Sequence, residues 1–207
     1  MSFLTAEHTP RVVLDSNVWI DILVFDDPAT RPIADALSAG SIEAVIDARC
    51  LAELTRVLDY PQFARFDVDK AAALAQVAAW TELASPPPEA VIAQAQRAAV
   101  KAAAAEGATG LAYGPAAGTA DAEAIAASTA NAPPASVSPA LLPPIERPLP
   151  QCRDRDDQKF LELTRHVGAT WLVSKDRELL RMAKRIARDF GFSIGLPAAF
   201  TAACLPP

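Results

Sequence analysis

The chain has little of what builds the commonest zinc and disulfide sites. Its 207 residues include two histidines and three cysteines, and no Cys-x-x-Cys pair occurs. This composition excludes a His-rich zinc centre and a disulfide framework. So few histidines also argue strongly against a Ser/His/Asp hydrolase. Because disulfides are rare in reducing compartments, the cysteine usage predicts a cytoplasmic protein.

The sequence also lacks a membrane-spanning segment and an excess of positive charge. No run of about 18 uninterrupted apolar residues occurs, so neither a membrane-spanning helix nor a membrane partner is expected. Met1–Thr9 has neither the basic nor the apolar region of a signal peptide. The net charge of −6 and the pI near 4.9 argue against a broad surface that neutralises phosphates. They leave room for a nucleic-acid enzyme whose acidic residues hold a cation.

Positive charge is missing from one long stretch of the chain. No Lys or Arg lies between Lys101 and Arg147, and residues 90–140 hold 22 alanines among 51 positions. Such a low-complexity Ala/Pro tract has too few large apolar side chains to form a core. We therefore expect a single domain over 10–204, in which 89–146 is a largely flexible insertion.

Outside the insertion, short apolar runs alternate with segments of helical pattern. This alternation predicts an α/β fold, a three-layer α/β/α sandwich with a central parallel sheet. Ligands of such sheets bind at the carboxyl ends of the strands. The predicted strands are 11–14, 42–46, 170–173 and 192–194, and the predicted helices are 29–39, 48–58, 68–83 (capped by Asp67), 156–167 and 177–190.

Acidic residues recur at the carboxyl edge of this predicted sheet. Asp15 ends the first strand, and Asp176 lies just beyond the strand at 170–173. A carboxylate that ends a buried strand has no helix to cap, so these two are strong functional candidates. Glu53 lies near the same edge, in the first half of the helix after the second strand. Three more carboxylates crowd the start of a later helix, where a single one is more simply explained as a cap: Asp154, Asp156 and Asp157.

Carboxylates held close together are costly without a counter-ion. The usual counter-ion is a hard divalent cation with oxygen ligands, Mg²⁺ or Mn²⁺. Such a site can activate water and neutralise a phosphodiester. The acidic residues therefore point to metal-dependent hydrolysis of a phosphate ester.

Four stretches of sequence carry these acids, in order along the chain. They are Val12-Val-Leu-Asp15-Ser-Asn17-Val-Trp19, Leu51-Ala-Glu53-Leu-Thr-Arg-Val-Leu58, Cys152-Arg-Asp-Arg-Asp-Asp157-Gln-Lys-Phe-Leu-Glu-Leu163 and Gly168-Ala-Thr-Trp-Leu-Val-Ser174-Lys-Asp176-Arg-Glu-Leu179. Together they resemble the motifs of PIN-domain nucleases, most of all the toxin components of toxin–antitoxin systems (VapC-like). The resemblance covers about 10–88 and 147–200. It departs from the family at the insertion, where the family has a short loop.

The resemblance implies a Mg²⁺- or Mn²⁺-dependent ribonuclease that leaves 5′-phosphate and 3′-hydroxyl ends. It implies an acidic quartet of catalytic, metal-binding residues: Asp15, Glu53, Asp157 and Asp176. Asp154 matches a further acid that would support the metal. Asn17 and Ser174 match polar positions that would hold metal-bound water or phosphate. An RNA substrate, an antitoxin protein and a homodimer are the partners that the family implies.

One predicted helix carries a row of basic residues. Within 177–190, five cations fall in one 100° sector of the helix: Arg177, Arg181, Lys184, Arg185 and Arg188. We call this row the basic face. It either guides an RNA backbone toward the acids, chiefly through Arg177, Arg181, Lys184 and Arg188, or is an ordinary solvated helix surface.

Two other functions remain open from the sequence. The first is a PIN-like domain that binds RNA or protein without cleaving, against which the intact acidic quartet argues. The second is a metal-dependent phosphatase. Phosphatases of this kind often use a DxD-type strand end, and Asp15-Ser-Asn17 lacks the second acid.

Overall fold

The computed structural model describes residues 9–88, 90 and 147–205. Within it, 9–88 and 149–205 belong to one compact unit, although they are far apart in the sequence. The expected insertion over 89–146 lies almost wholly outside the described residues, so its flexibility stays a prediction. The three cysteines are free thiols. None of the helices described is both long and apolar enough to cross a bilayer.

The centre of the structure is a parallel β-sheet, as the alternating sequence pattern predicts. Its strands are β1 (Arg11–Leu14), β2 (Glu43–Asp47), β3 (Thr81–Ala84), β4 (Trp171–Val173) and β5 (Ser193–Gly195). The strands lie in the order β3-β2-β1-β4-β5, and each neighbouring pair is parallel. The chain therefore runs outward from β1 to β3 on one side and from β4 to β5 on the other. The reversal between β1 and β4 is a topological switch point, where such sheets bind ligands.

Helices flank this sheet, which confirms the predicted α/β fold class. They are α1 (Ser16–Ile20), α2 (Arg31–Ser38), α3 (Ala48–Val57), α4 (Lys70–Trp80), α5 (Gln158–His166), α6 (Arg177–Phe190) and α7 (Pro197–Cys204). A π-helical turn, Asp21–Phe25, continues α1, and a 3₁₀ helix, Pro61–Phe66, precedes α4. Helix α3 packs against α5, and α2 packs against α7.

The core holds the strand ends in place. Val12, Val13 and Leu14 of β1 are at most 2% exposed, because a central parallel strand is covered on both faces. Helix α5 contributes Phe160 and Leu161, which are also fully buried. Burying each such side chain is worth about 1.5–3 kcal/mol. The residues that follow β1 and precede α5 are thus anchored on rigid elements.

The sequence prediction was wrong in one region. The helix expected over 68–83 ends at Trp80, and Thr81–Ala84 forms the edge strand β3 beside β2. The run of alanines favours helix locally, but hydrogen bonding to β2 determines the conformation of the last four residues. The helix is also capped by Asp69, whose side chain accepts a hydrogen bond from Ala72 N, and not by Asp67. The short helices α1 and α7 and the two irregular helical turns were not predicted.

Candidate active site

A single pocket brings the predicted acidic quartet together. It has a volume of about 460 Å³ and opens at the carboxyl ends of β1 and β4, at the topological switch point. We call it the acidic pocket. Its polar lining consists of Asp15, Ser16, Asn17, Asp21, Glu53, Gln62, Asp157 and Asp176. Asp154, the expected supporting acid, is exposed and is not part of this lining.

Asp15 is the buried centre of the pocket. It follows β1 directly and is 4% exposed. Its Oδ2 accepts hydrogen bonds from Ser174 Oγ at 2.5 Å and from Asn17 Nδ2 at 2.6 Å. Burial raises its pKa from 3.8 to about 6; the Ser174 hydrogen bond opposes this shift, and the charge of Glu53 adds to it. A nearby positive charge would favour the ionised form of this carboxylate.

Ser174 and Asn17 connect the ends of β1 and β4. Besides donating to Asp15, the Ser174 hydroxyl accepts a hydrogen bond from Asp176 N at 2.9 Å. Asn17 Oδ1 accepts one from Lys175 N at 3.2 Å. In this structure both side chains therefore orient Asp15. Their expected contact with phosphate or water stays a prediction.

Glu53 reaches the pocket from α3 and is held by two residues. Ser16 Oγ donates to its Oε1 at 2.8 Å, and Lys159 forms an ion pair with its Oε2. Lys159 also donates to the carbonyl oxygen of Asp156. Lys159 was not predicted from the sequence, although its position two residues after Asp157, the N-cap of the same helix, was a usable signal.

Asp157 occupies the N-cap position of α5, but its side chain makes no capping hydrogen bond to the described helix. Burial raises its pKa from 3.8 to about 7, and the negative charges of Asp15, Asp176 and Asp154 raise it further, against the effect of Lys159. Helix capping therefore does not explain this carboxylate. The neighbouring Asp154 does have a local structural role, because its Oδ1 accepts a hydrogen bond from Asp156 N at 2.9 Å.

Asp176 does cap a helix, contrary to the argument made from the sequence. Its Oδ1 accepts hydrogen bonds from Glu178 N at 2.7 Å and from Leu179 N at 3.0 Å, at the start of α6. The strand β4 ends at Val173, and two residues then lead to the helix, so the carboxylate lies at a helix start as well as near a strand end. The cap fixes this side chain at the pocket wall.

Two further buried carboxylates were not identified from the sequence. Asp21 lines the acidic pocket and forms an ion pair with Lys175 Nζ at 2.5 Å. Asp47 ends β2 as Asp15 ends β1, and its position after a strand could have revealed it. Its charge is used structurally, because it caps α3 and forms an ion pair with Arg49 at 2.9 Å. Only the tertiary structure separates Asp47 from Asp15.

Basic residues flank the acidic pocket on α3 and α6. A second depression of about 330 Å³ shares Glu53 with it and is lined by Arg49, Arg56 and Lys159. On α6, all five cations of the basic face are exposed. Three of them have acidic partners on the helix: Arg181 pairs with Glu178, and Arg185 and Arg188 pair with Asp189. The expected contact of the basic face with RNA stays a prediction.

The acidic pocket fits a hard divalent cation by its chemistry. Its lining offers carboxylate oxygens and contains neither His nor Cys, which suits Mg²⁺ or Mn²⁺ better than zinc. The raised pKa values of Asp15 and Asp157 show that their charges lack full compensation. Within the described ranges, no three His, Cys, Asp or Glu side chains already have an ion-binding arrangement.

Comparison with known proteins agrees with this geometry. A family model described as PIN domain matches residues 11–178, a range that contains all four acids of the quartet. Neither the curated proteins nor the solved structures contain a significant match. PIN domains are generally nucleases with an acidic metal site. The fold, the pocket and the family match together show that this chain belongs to the PIN-domain family.

Proposed function

We propose that this chain is a Mg²⁺- or Mn²⁺-dependent endoribonuclease, with the acidic pocket as its active site. The observation that carries the proposal is the meeting of Asp15, Glu53, Asp157 and Asp176 in one pocket at the switch point of the sheet. These residues come from different elements, so local structure alone does not explain their convergence. Asp157 in particular has no capping role within the described helix.

The four acids would hold the cation, and contacts with neighbouring groups position three of them. Ser174 and Asn17 orient Asp15, the α6 cap fixes Asp176, and Ser16 holds Glu53. When bound, a divalent cation supplies a Lewis acid that lowers the pKa of water and neutralises phosphate charge. The chain's contribution is to present fixed oxygens at a site closed on one side by the buried end of β1. Water then adds to phosphorus and the bond to the 3′ oxygen breaks, leaving a 5′-phosphate and a 3′-hydroxyl.

Lys159 has a separate role in this proposal. It lies 13% exposed beside Glu53 and supplies positive charge to the pocket before any cation binds. Cation binding would compete with this lysine for the Glu53 carboxylate. Once released, the ammonium group lies within the same region as the phosphate and can bind it as a point charge.

The decisive assay compares substrates and metals. Purified protein is incubated with RNA and with a generic phosphate monoester, each with Mn²⁺ and with EDTA. We expect cleavage of RNA with Mn²⁺ only. Hydrolysis of the monoester alone would indicate a phosphatase, and RNA binding without cleavage in any metal would indicate a non-cleaving domain.

Variants of the quartet test the assignment of residues. Asp15→Asn, Asp157→Asn and Asp176→Asn should each reduce RNA cleavage by about 100-fold or more, because each removes a charge that holds the cation. The exposed Asp154→Asn is the matched control and should retain most activity. Cleavage at the rate of the unchanged protein by any quartet variant would remove that residue from the site.

The finer biological role follows the family resemblance. We propose that the chain is the toxin of a toxin–antitoxin pair, held inactive by an antitoxin protein and acting as a homodimer in the cytoplasm. Induced expression should stop growth and degrade RNA, whereas the Asp157→Asn variant should do neither. Growth at the normal rate, with active protein present, would contradict the toxin assignment without affecting the nuclease assignment.

A further inference from the structure

An exposed aromatic cluster borders the acidic pocket. Phe25 and Phe63 line the pocket together with the acids. The ring of Phe25 meets Phe63 edge to face at a centroid distance of 5.8 Å and Phe66 at 5.0 Å. Phe25 is 44% exposed and Phe66 is 37% exposed. The cluster therefore presents partly exposed aromatic surface at the edge of the pocket.

The backbone that carries these rings is unusual on both sides. Phe25 ends the π-helical turn, and Phe66 ends the 3₁₀ helix. Each is followed by an aspartate in the left-handed region, Asp26 at φ 46° and Asp67 at φ 49°. These two are the non-glycine residues with positive φ in the part of the chain that the structure describes. π-Helical turns and left-handed non-glycine residues are both frequent at functional sites, and here both features position the same cluster.

A cation completes the surface next to the rings. The guanidinium carbon of Arg65 lies 4.8 Å from the centroid of Phe66, and Arg65 is exposed. Exposed aromatic rings combined with a positively charged group that follows a phosphate backbone are typical of surfaces that bind single-stranded nucleic acid. The core does not require this exposure, because Phe63 is the member of the cluster that packs against it.

We propose that Phe25, Phe63 and Phe66 form a stacking platform for an unpaired base of single-stranded RNA, next to the acids that act on its phosphodiester. This inference rests on the proposed nuclease function and makes it specific, because it names the side chains that would hold a base of the substrate. In a duplex, each base is stacked between its neighbours and paired, so it cannot lie on a protein ring. The charges of the surface also suit a nucleotide. Its neutral base can approach the acidic pocket, while Arg65 binds the adjoining phosphate.

The test uses the full chain and a short single-stranded RNA that contains 2-aminopurine, whose fluorescence is quenched by stacking. Binding is measured with Mn²⁺ in the Asp157→Asn background, so that the strand stays intact. When Phe25 is present, we expect RNA binding to quench the 2-aminopurine fluorescence. Phe25→Leu should abolish this quenching and raise the Kd for RNA about 5-fold or more, and Phe25→Trp should restore both the quenching and the affinity. The matched control is Leu83→Ala, which removes an apolar side chain that is 64% exposed on β3 and should change neither quantity.

A cleavage assay with the otherwise unchanged chain completes the design. The single strand should be cut at least ten times faster than the same sequence in a duplex, and Phe25→Leu should lower kcat/KM on the single strand. If Phe25→Leu unfolds, as judged by circular dichroism, Phe66→Leu at the outer end of the cluster replaces it.

The outcomes separate this inference from the nuclease proposal. Metal-dependent cleavage with unchanged quenching, Kd and strand preference in the Phe25→Leu variant would overturn the stacking platform alone and would point to a protein-docking surface. Quenching that depends on Phe25, without cleavage in Mg²⁺ or Mn²⁺, would support the platform and overturn the nuclease. Absence of both RNA binding and RNA cleavage in the otherwise unchanged chain would overturn both.

Discussion

At the scale of single residues, the acidic pocket brings together carboxyl groups whose ionisation is unfavourable. Asp15 and Asp157 are harder to ionise than ordinary aspartates because they are buried and lie near other carboxylates. Lys159 offsets part of this cost through Glu53. The protonation of two carboxyl groups and the position of one lysine should therefore control both the stability of the metal-free protein and its affinity for a cation.

The first prediction concerns pH. In the folded protein the pKa values of Asp15 and Asp157 are about 6 and about 7, above the ordinary 3.8, so the folded state binds these protons more tightly than the unfolded chain does. Their contribution to stability is therefore greatest near pH 4 and is lost as the pH rises through 7. The Tm of the double variant Asp15→Asn/Asp157→Asn is compared with the Tm of the unchanged chain, both in EDTA. The variant should have the higher Tm at pH 7.5, and this difference should be smaller at pH 5. A difference in Tm that does not vary with pH would contradict the prediction.

The second prediction concerns Lys159. Replacing it by Met removes the ion pair with Glu53 and frees a carboxylate. Without metal the Tm should fall, because the negative charges of the pocket lose a counter-charge. The affinity for Mn²⁺ should rise several-fold, since the cation no longer competes with the lysine. Calorimetric titration of Mn²⁺ measures this change directly.

Lys70→Met is the control for Lys159→Met. Lys70 forms an ion pair with Asp59 at 2.5 Å, outside the lining of the acidic pocket. Its replacement removes the same charge from the chain but should leave Mn²⁺ affinity unchanged. Equal Mn²⁺ affinity in the two variants would show that Lys159 does not compete for the site.

At the scale of elements, helix α6 joins the active site to the basic face. The helix begins at the Asp176 cap and ends before Gly191, whose φ of 78° stops it. Leu179 and Ile186 hold its inner side in the core. This geometry places a row of cations on a rigid element that starts at the pocket wall.

The third prediction concerns the basic face. Replacing Arg181, Lys184 and Arg188 by Ala should weaken RNA binding and flatten its dependence on salt, because fewer counterions are released. Each lost contact with a phosphate of a single strand lowers the slope of log K against log salt by about 0.7. Two of the three have acidic partners on α6, so the total change should be smaller than three full contacts. An unchanged slope, measured by fluorescence anisotropy, would identify a solvated helix surface.

At the scale of the whole molecule, the family fold is divided in sequence but not in space. Residues 9–88 and 149–205 make one compact unit, with β1 paired to β4 across the division. The five strands of the sheet and the lining of the acidic pocket lie within these two ranges. The sequence of 89–146 has few large apolar side chains, so it is not expected to supply a core.

The fourth prediction follows from this division. Deleting 90–143 and joining the ends by a short linker should leave a folded, metal-dependent nuclease. Its Tm should change by a few degrees, since loop closure costs only about 0.6 kcal/mol for each doubling of loop length. Limited proteolysis of the full chain should cut first within 107–140. An insoluble or inactive deletion variant would show that the tract is an integral element or a lid over the pocket.

Much of the fold and most of the pocket could be predicted from sequence. Buried strands of a parallel sheet are continuous apolar runs, so β1 and β4 were visible, and α6 was predicted with its observed bounds. Three acids of the quartet stand where such strands end or helices begin, and Glu53 lies within α3. The edge strand β3 could not be predicted, because its pairing with β2 is a contact between residues almost 40 positions apart and its local composition favours helix.

The sequence by itself determined that a parallel α/β sheet carries a set of acids at its carboxyl edge, because apolar periodicity and the position of a carboxylate after a strand are local properties of the chain. Only the tertiary structure decided which acids matter. Asp47 is the last residue of β2 and Asp15 directly follows β1, but Asp47 is paired with Arg49 and caps α3, whereas Asp15 lines the pocket. The contacts of Lys159 with Glu53 and of Phe25 with Phe63 and Phe66 were likewise settled by packing. They join residues distant in sequence, and their energies depend on burial and charge that exist only once the chain has folded.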